Sequence, residues 1–343
     1  MSISIGILGA TGYTGAELIR LLHGHEGSSV TYCSSRQYNG KNIAGVLPFF
    51  KGTFDITLED FDPDAIKSRC DVVFSCLPHG TSAGFISRIA GDVKVIDLSA
   101  DARLHDLDTY KAWYGDHGFP ELLDKAVYGL CEVYREEIGQ ASLVANPGCY
   151  PTSILLPLIP LLKQGLIGTA GIIADSKSGV SGAGRGLSLK THICEAGESF
   201  SAYKVGRSHR HIPEIEQELT KAAGKTVEIE FTPHLIPITR GMLSTIYVDT
   251  HADEATLKAC VSSYYKDARF VHVLEEDFPS TKDVRGTNNC LIGLAKNDRT
   301  NRAVIVSVID NLTKGASGQA VQSMNIMFGL PESRGLDSLP LFP

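Results

Sequence analysis

With 343 residues, 8 cysteines and a formal net charge of -7, the chain is long for a single core and comfortable for two domains. Its Lys and Arg residues are dispersed, so it lacks the basic field that nucleic acid requires, and no apolar run reaches the ~20 residues of a membrane span. It opens directly into an expected strand without a charged leader, and its cysteines show neither a C-x-x-C pair nor a zinc spacing, so the expectation is a cytoplasmic protein of a reducing compartment that binds no metal, no nucleic acid and no membrane.

The first half alternates strand and helix signals, the pattern of a parallel sheet covered on both faces. Strands are expected over 4–8, 30–33, 71–77 and 93–98, with helices over 15–22 and about 80–90. The first turn, Gly9-Ala10-Thr11-Gly12-Tyr13-Thr14-Gly15, follows an apolar strand and opens a helix. A helix start presents unpaired N–H groups and the positive end of the dipole, so this turn is a candidate pyrophosphate cradle formed by Gly9, Thr11, Gly12, Tyr13, Thr14 and Gly15. Its spacing is G-x-x-G-x-x-G, not the commoner G-x-G-x-x-G, and a tight turn without a ligand is the competing reading.

At the end of the second strand an NAD enzyme usually carries Asp or Glu for the ribose 2′-OH, whereas here Ser34-Ser35-Arg36 stand. Hydroxyls and a guanidinium suit a 2′-phosphate, so NADP is expected over NAD; the alternative for Arg36 is a solvated surface arginine. His79, after Leu77-Pro78, either faces the nicotinamide or lines its loop.

After the apolar stretch 142–145 comes Asn146-Pro147-Gly148-Cys149-Tyr150-Pro151-Thr152. Pro147 and Gly148 make a sharp entry and Pro151 suits a first turn, so Cys149 is expected at a helix start. Unpaired amides and the dipole there stabilise a thiolate, which makes Cys149 the candidate nucleophile; the bland alternative is a small buried apolar residue. Cys33, Cys70, Cys76, Cys131, Cys194, Cys260 and Cys290 read as ordinary reduced residues.

Beyond Cys149, strands over 172–175, 227–232, 243–248 and 303–308 with fewer helices between them indicate an α+β domain on a mixed or antiparallel sheet. The polar stretch 176–186 reads either as an anion nest or as a flexible surface loop. A thiolate catalyst needs a proton partner. His209 and His211 flank Arg210 just before a helix expected from about Pro213, and either histidine suits that work or simply caps the helix. A last helix over 317–328 is expected to return to the first domain, which accounts for the missing linker. The expected organisation is therefore an NADP-binding Rossmann-like α/β domain over 1–148, a catalytic α+β domain over 149–314 and a returning C-terminal helix over 315–343.

Taken together, the glycine loop, Leu77-Pro78-His79-Gly80, Asp97-Leu98-Ser99-Ala100-Asp101-Ala102-Arg103-Leu104, the Cys149 segment, Ser178-Gly179-Val180-Ser181-Gly182-Ala183-Gly184-Arg185, His209-Arg210-His211-Ile212-Pro213-Glu214-Ile215, Pro233-His234-Leu235-Ile236-Pro237 and Asp310-Asn311-Leu312-Thr313-Lys314-Gly315-Ala316 resemble the N-acetyl-gamma-glutamyl-phosphate reductase family over nearly the whole chain. The resemblance implies a fold of the aspartate-semialdehyde dehydrogenase type and NADPH-dependent reduction of a small-molecule acyl phosphate, N-acetyl-L-glutamyl 5-phosphate, to the semialdehyde in arginine biosynthesis, by a homodimer or homotetramer. By residue match, Cys149 is the nucleophile and His209 the acid/base. Further cofactor contacts are expected at Leu77, Pro78, Ser181, Gly182 and Asn311, and substrate anchors at Arg103, Asn146, Ser178 and Arg240. The rival readings are a related reductase of aspartyl phosphate or of a carrier-linked aminoadipyl phosphate, and a non-catalytic NADP-binding regulator.

Overall fold

The computed structural model describes residues 2–341; Met1 and the last two positions of the expected 315–343 segment lie outside the described residues. The chain forms two compact units, one containing the residues up to Pro147 together with Ala316–Asp337, the other Gly148–Gly315 together with the tail from Ser338. That tail differs from the expected single C-terminal segment: the Leu341 N–H donates to the Arg285 carbonyl at 2.9 Å within the second unit.

In the first unit, β1 (Ile3–Leu8), β2 (Ser28–Ser34), β3 (Val72–Ser75), β4 (Lys94–Asp97), β5 (Ala126–Tyr128) and β6 (Leu143–Ala145) form a sheet ordered β2-β1-β3-β4-β6-β5. All its pairings are parallel. Every residue of β3 and β6 is buried, as expected for strands covered on both faces. The chain leaves β1 for β2 on one side and then crosses to β3 on the other, so the turns after β1 and β3 flank the switch point where such sheets receive ligands. The helix expected over 80–90 is only Ser82–Ile86, and β5 was not expected because three residues are too few to show a period. The Gly318–Met327 helix is buried along its whole length, and its glutamine amides find partners far off in sequence: Gln319 donates to the Gly129 carbonyl at 2.7 Å and Gln322 to Glu132 at 3.0 Å.

In the second unit, β7 (Ile172–Gly179), β8 (Ser201–Ala202), β9 (Ile229–Ile236), β10 (Met242–Asp249), β11 (Val271–Val273), β12 (Cys290–Asn297) and β13 (Arg302–Ile309) form a mixed sheet ordered β11-β12-β13-β10-β7-β9-β8. The Cys149–Lys163 helix packs on β10 and β13 and is buried from Tyr150 to Leu162. Pro160 cannot donate to the Leu156 carbonyl one turn earlier, and the Tyr265 hydroxyl takes that place at 2.7 Å. β12 escapes sequence reading because Gly293 resembles a breaker; a Cβ there would lie 2.8 Å from the Phe278 ring, so only glycine fits.

Candidate active site

In the first unit, the backbone requires glycine at two of the three loop positions, Gly9 and Gly15, and the third leaves a helix start uncovered. Gly9 has φ +78, and a Cβ on it would stand 2.9 Å from the Cys76 carbonyl oxygen. Gly15 lies so close to the turn that a Cβ would meet the Gly9 carbonyl oxygen at 2.6 Å. Gly12 caps the Tyr13–His23 helix, with only the Gly9 oxygen near a built Cβ, at 3.5 Å, so its lack of a side chain leaves the helix start open to a pyrophosphate. The loop is tied to the end of β2: Gly9 and Ala10 N–H groups both donate to the Ser34 carbonyl at 3.1 Å, and the Thr11 and Ser35 hydroxyls lie 3.2 Å apart. Ser34 and Ser35 are buried, Arg36 and Tyr13 are exposed, and the Ser317 hydroxyl donates to the Thr14 carbonyl at 2.9 Å. Leu77 and Pro78 follow β3 on the other side of the switch point, and His79 packs edge-on against Tyr114 with ring centres 5.7 Å apart.

In the second unit, Cys149 is the first residue of its helix, half-buried, with Gly148 as N-cap and no side chain capping it. The Gly148 N–H donates to the buried Glu214 carboxylate at 2.8 Å, which joins the turn before the thiol to the helix that follows the histidines. Gly315 packs directly against the thiol's residue: a Cβ there would meet the Cys149 Cβ at 2.8 Å. The neighbouring turn Thr313–Ser317 is π-helical, a form that recurs at functional sites. Asn146, which ends the first unit's approach to this segment, is buried; its amide donates to the Ala316 carbonyl at 3.2 Å.

His209 is buried at 7% exposure, and its ring meets those of Tyr150, Tyr203 and Phe231 edge-on at 5.2 to 5.5 Å. Burial, with His211 and Lys204 adding, pushes its pKa down to about 2. Its Nδ1 accepts the His211 N–H at 3.1 Å, so in the neutral ring the proton sits on Nε2. The Tyr203 hydroxyl donates to Tyr150 at 3.1 Å. Burial pushes Tyr203 up to about 12, with that hydrogen bond opposing and negative charge at Cys149 adding to the rise. Tyr150 is raised by burial first and by Tyr203 and Cys149 as well. Tyr150 therefore links the two predicted residues, following Cys149 in sequence and contacting His209. The sequence carries no signal at Tyr203 or Phe231, and Tyr150, Glu214 and Gly315 enter it only as members of the motifs that carry the family resemblance, without a role of their own.

The stretch 176–186 is neither a free loop nor wholly polar surface. Ser176 to Gly179 complete β7, and Val180–Ala183 form a 3-10 turn. Ser176 and Ser178 are buried: the Ser176 hydroxyl lies 2.7 Å from that of Ser244, and Ser178 hydrogen-bonds Tyr150. Ser181 accepts the Asn311 amide at 2.9 Å while the Asn311 oxygen accepts the Gly241 N–H at 2.8 Å, with Gly182 exposed beside them. The arginines expected as anchors also brace the protein. Arg103 donates to the Asn146 and Leu98 carbonyls, each at 2.8 Å, and Arg240 grips the buried Asp310 carboxylate at 3.0 Å and the Thr313 hydroxyl at 3.0 Å. Both need a partner distant in sequence, so neither role was legible from composition.

Residues 4–141 match the family described as semialdehyde dehydrogenase, NAD binding domain, and residues 149–311 the semialdehyde dehydrogenase, dimerisation domain. The chain is 54% identical to the N-acetyl-gamma-glutamyl-phosphate reductase of Geotalea daltonii over 99% of its own length and 100% of that protein. The chain belongs to the N-acetyl-gamma-glutamyl-phosphate reductase family. Members of this reductase family from Geobacter sp. and Desulfotalea psychrophila are 52% and 49% identical, each over 99% of this chain and 100% of the relative. Aspartate semialdehyde dehydrogenase II from Vibrio cholerae, solved with ASA, shares the fold at TM-score 0.73 and 18% identity, covering 96% of this chain and 99% of that one. The Candida albicans aspartate semialdehyde dehydrogenase, solved with NADP, does so at TM-score 0.70 and 16% identity over 95% and 98%. The reductase family's fold, a dinucleotide-binding α/β unit joined to an α+β unit, is thus the one observed. Among the described residues no helix is long and apolar enough to cross a membrane, and no cluster of three or more His, Cys, Asp or Glu side chains offers a metal site.

Proposed function

We propose that the protein uses NADPH to reduce N-acetyl-L-glutamyl 5-phosphate to N-acetyl-L-glutamate 5-semialdehyde, releasing phosphate, as a step of arginine biosynthesis. The observation that carries this reading is 54% identity along essentially the full length of a reductase of that name. The site's chemistry is consistent with it.

The residues present fit a dinucleotide phosphate. Gly12 leaves the first helix start open, Thr11 and Ser35 line its rim, and the exposed Arg36 guanidinium suits a 2′-phosphate. Leu77 and Pro78 flank the same switch point, and Ser181, Gly182 and Asn311 are the second unit's candidates for this role. When bound, NADPH supplies the hydride that the acyl group accepts.

The protein's own residues do the rest. The Cys149 thiolate attacks the acyl carbon of the mixed anhydride; the carbon–sulfur bond forms, the bond to phosphate breaks, and a thioester remains. After reduction, the oxyanion of the hemithioacetal re-forms its carbonyl: the carbon–sulfur bond breaks, the aldehyde leaves and the electron pair returns to Cys149 as the thiolate. His209 enters with its proton on Nε2, so it begins as a hydrogen-bond donor to the developing oxyanion and not as an imidazolium paired with the thiolate. Burial among aromatic rings disfavours the charged ring. Ser178 orients Tyr150, and Arg103 and Arg240 act by shaping the segments on which Asn146 and Asp310 stand.

The dimerisation-domain match supports assembly as a homodimer or homotetramer, and the sequence's reduced cysteines support a cytoplasmic setting. Turnover decides the substrate: NADP reduction with phosphate and N-acetylglutamate semialdehyde should greatly exceed that with aspartate semialdehyde. A preference for the latter, or no turnover with either, overturns the assignment.

A further inference from the structure

Asp97 and Asp101 take no part in the chemistry above, yet both are buried carboxylates at or just beyond the end of β4. Asp97 accepts the Ser82 hydroxyl at 2.7 Å, the Ser99 hydroxyl at 2.6 Å and the Ser99 N–H at 3.0 Å. Burial pushes its carboxyl up to about 6, those hydrogen bonds opposing and Asp101 adding. Asp101, 2% exposed, reaches the neighbouring turn: it accepts the Gly80 N–H at 2.6 Å, the Ala83 N–H at 3.0 Å and the Tyr110 hydroxyl at 3.2 Å. Its own backbone is held by Ser99 at 3.0 Å and by His117 on its carbonyl at 2.7 Å.

The turn so gripped is Leu77-Pro78-His79-Gly80, which follows β3 and flanks the switch point. Gly80 has φ +76, so the turn depends on a left-handed residue whose amide ends on Asp101. Thr81, the residue before the Ser82–Ile86 helix, supplies no side-chain cap, and the Asp101 carboxylate takes over that function from another element. Tyr110 stacks on Tyr114 at 5.1 Å, and Tyr114 holds the His79 ring, so the turn is braced from its outer side as well.

We propose that Asp101 is a positioning residue for the cofactor: by accepting the Gly80 and Ala83 amides it presets the Leu77–Gly80 turn in the shape that receives the dinucleotide. This rests on the assignment of that turn to NADP made above. A carboxylate suits the task because each oxygen accepts an amide at the same time, which a neutral amide side chain cannot do without turning an N–H toward one of them.

Asp101→Asn tests this in the full-length protein, with NADPH affinity measured by calorimetry. Loss of one charge-assisted hydrogen bond predicts a ~10-fold or greater rise in the NADPH dissociation constant. The iodoacetamide alkylation rate of Cys149 without cofactor should stay near wild type, which a general weakening of the fold would not allow. An affinity within about twofold of wild type in the folded variant overturns the role of Asp101. Gly12→Asp, which sets a carboxylate in the phosphate loop, is run beside it. If that variant also binds NADPH normally, the cofactor assignment itself fails; if it alone is weakened, only the Asp101 proposal does. Should Asp101→Asn not fold, hydrogen exchange on the wild-type chain answers instead: the Gly80 and Ala83 amides should exchange slowly and more slowly still with NADPH, and fast exchange indifferent to NADPH overturns the proposal.

Discussion

The Nδ1 of His209 accepts the backbone N–H of His211 at 3.1 Å, so the residue between them, Arg210, spans a turn that dictates which His209 nitrogen carries the proton. With Nδ1 committed as acceptor and burial holding the ring neutral, Nε2–H is the group left for chemistry. That relationship separates two histidines which their spacing alone leaves equivalent.

The pH dependence of stability follows from it. His209 titrates near 6.5 in an unfolded chain and at about 2 in the fold, so between those values the unfolded chain binds more protons. Its contribution is complete above the unfolded pKa and is lost as the pH falls below it, by up to ~1.4 kcal/mol per pH unit. Urea midpoints measured for His209→Asn from about pH 6.5 down to about pH 4.5 should decline less steeply than those of the wild type. An unchanged slope means that the ring is not held neutral. At neutral pH the same variant should lose roughly 10²–10⁴-fold in turnover, and His211→Asn much less. The reverse order exchanges their roles.

The thiol's placement is tested by its neighbour. Gly315→Ala puts a methyl 2.8 Å from the Cys149 Cβ, below any normal contact, so the helix start must shift. A displacement of this kind predicts a loss of roughly 10-fold or more in turnover, with NADPH binding retained. Cys149→Ser should fall by several orders of magnitude while still binding NADPH, because a hydroxyl is the weaker nucleophile at neutral pH. Near-normal turnover in the serine variant rules out the thioester route.

For the cofactor, Arg36→Ala should weaken NADP by about 1.5–3 kcal/mol and leave NAD nearly unaffected, since only the former loses a charge-assisted contact. Equal losses for both dinucleotides assign Arg36 to the fold.

The proline-broken helix makes a purely structural test. Tyr265→Phe removes the hydroxyl that serves the Leu156 carbonyl and leaves a buried acceptor unpaired, at a cost of about 1–3 kcal/mol. A lower thermal midpoint with turnover intact is the expected result; an unchanged midpoint means that another donor replaces the tyrosine.

Features set by near neighbours in the chain were legible without coordinates. Pro147, Gly148 and Pro151 enforce a helix start at Cys149, and the helix begins there. The run of glycines after an apolar strand becomes the turn at the switch point, because a left-handed φ at Gly9 and a close approach at Gly15 are local demands that only glycine meets. The serines of 176–178 misled the reading: alternating polar residues look like a loop, whereas here their hydroxyls pair with Ser244 and Tyr150 inside a strand.

Roles that depend on a distant partner had to await the fold. Arg240 and Arg103 both read as substrate anchors, and the fold gives each a bracing contact besides: Arg240 meets Asp310 at 3.0 Å and Arg103 the Asn146 carbonyl at 2.8 Å. The neutral state of His209 depends on Tyr150, Tyr203 and Phe231, which belong to separate segments of the chain. A sequence states which groups each residue carries and constrains the turns they sit in. Desolvation and hydrogen-bond pairing act through space, so the charge a buried group keeps, and the partner it takes, are settled when the chain closes around it.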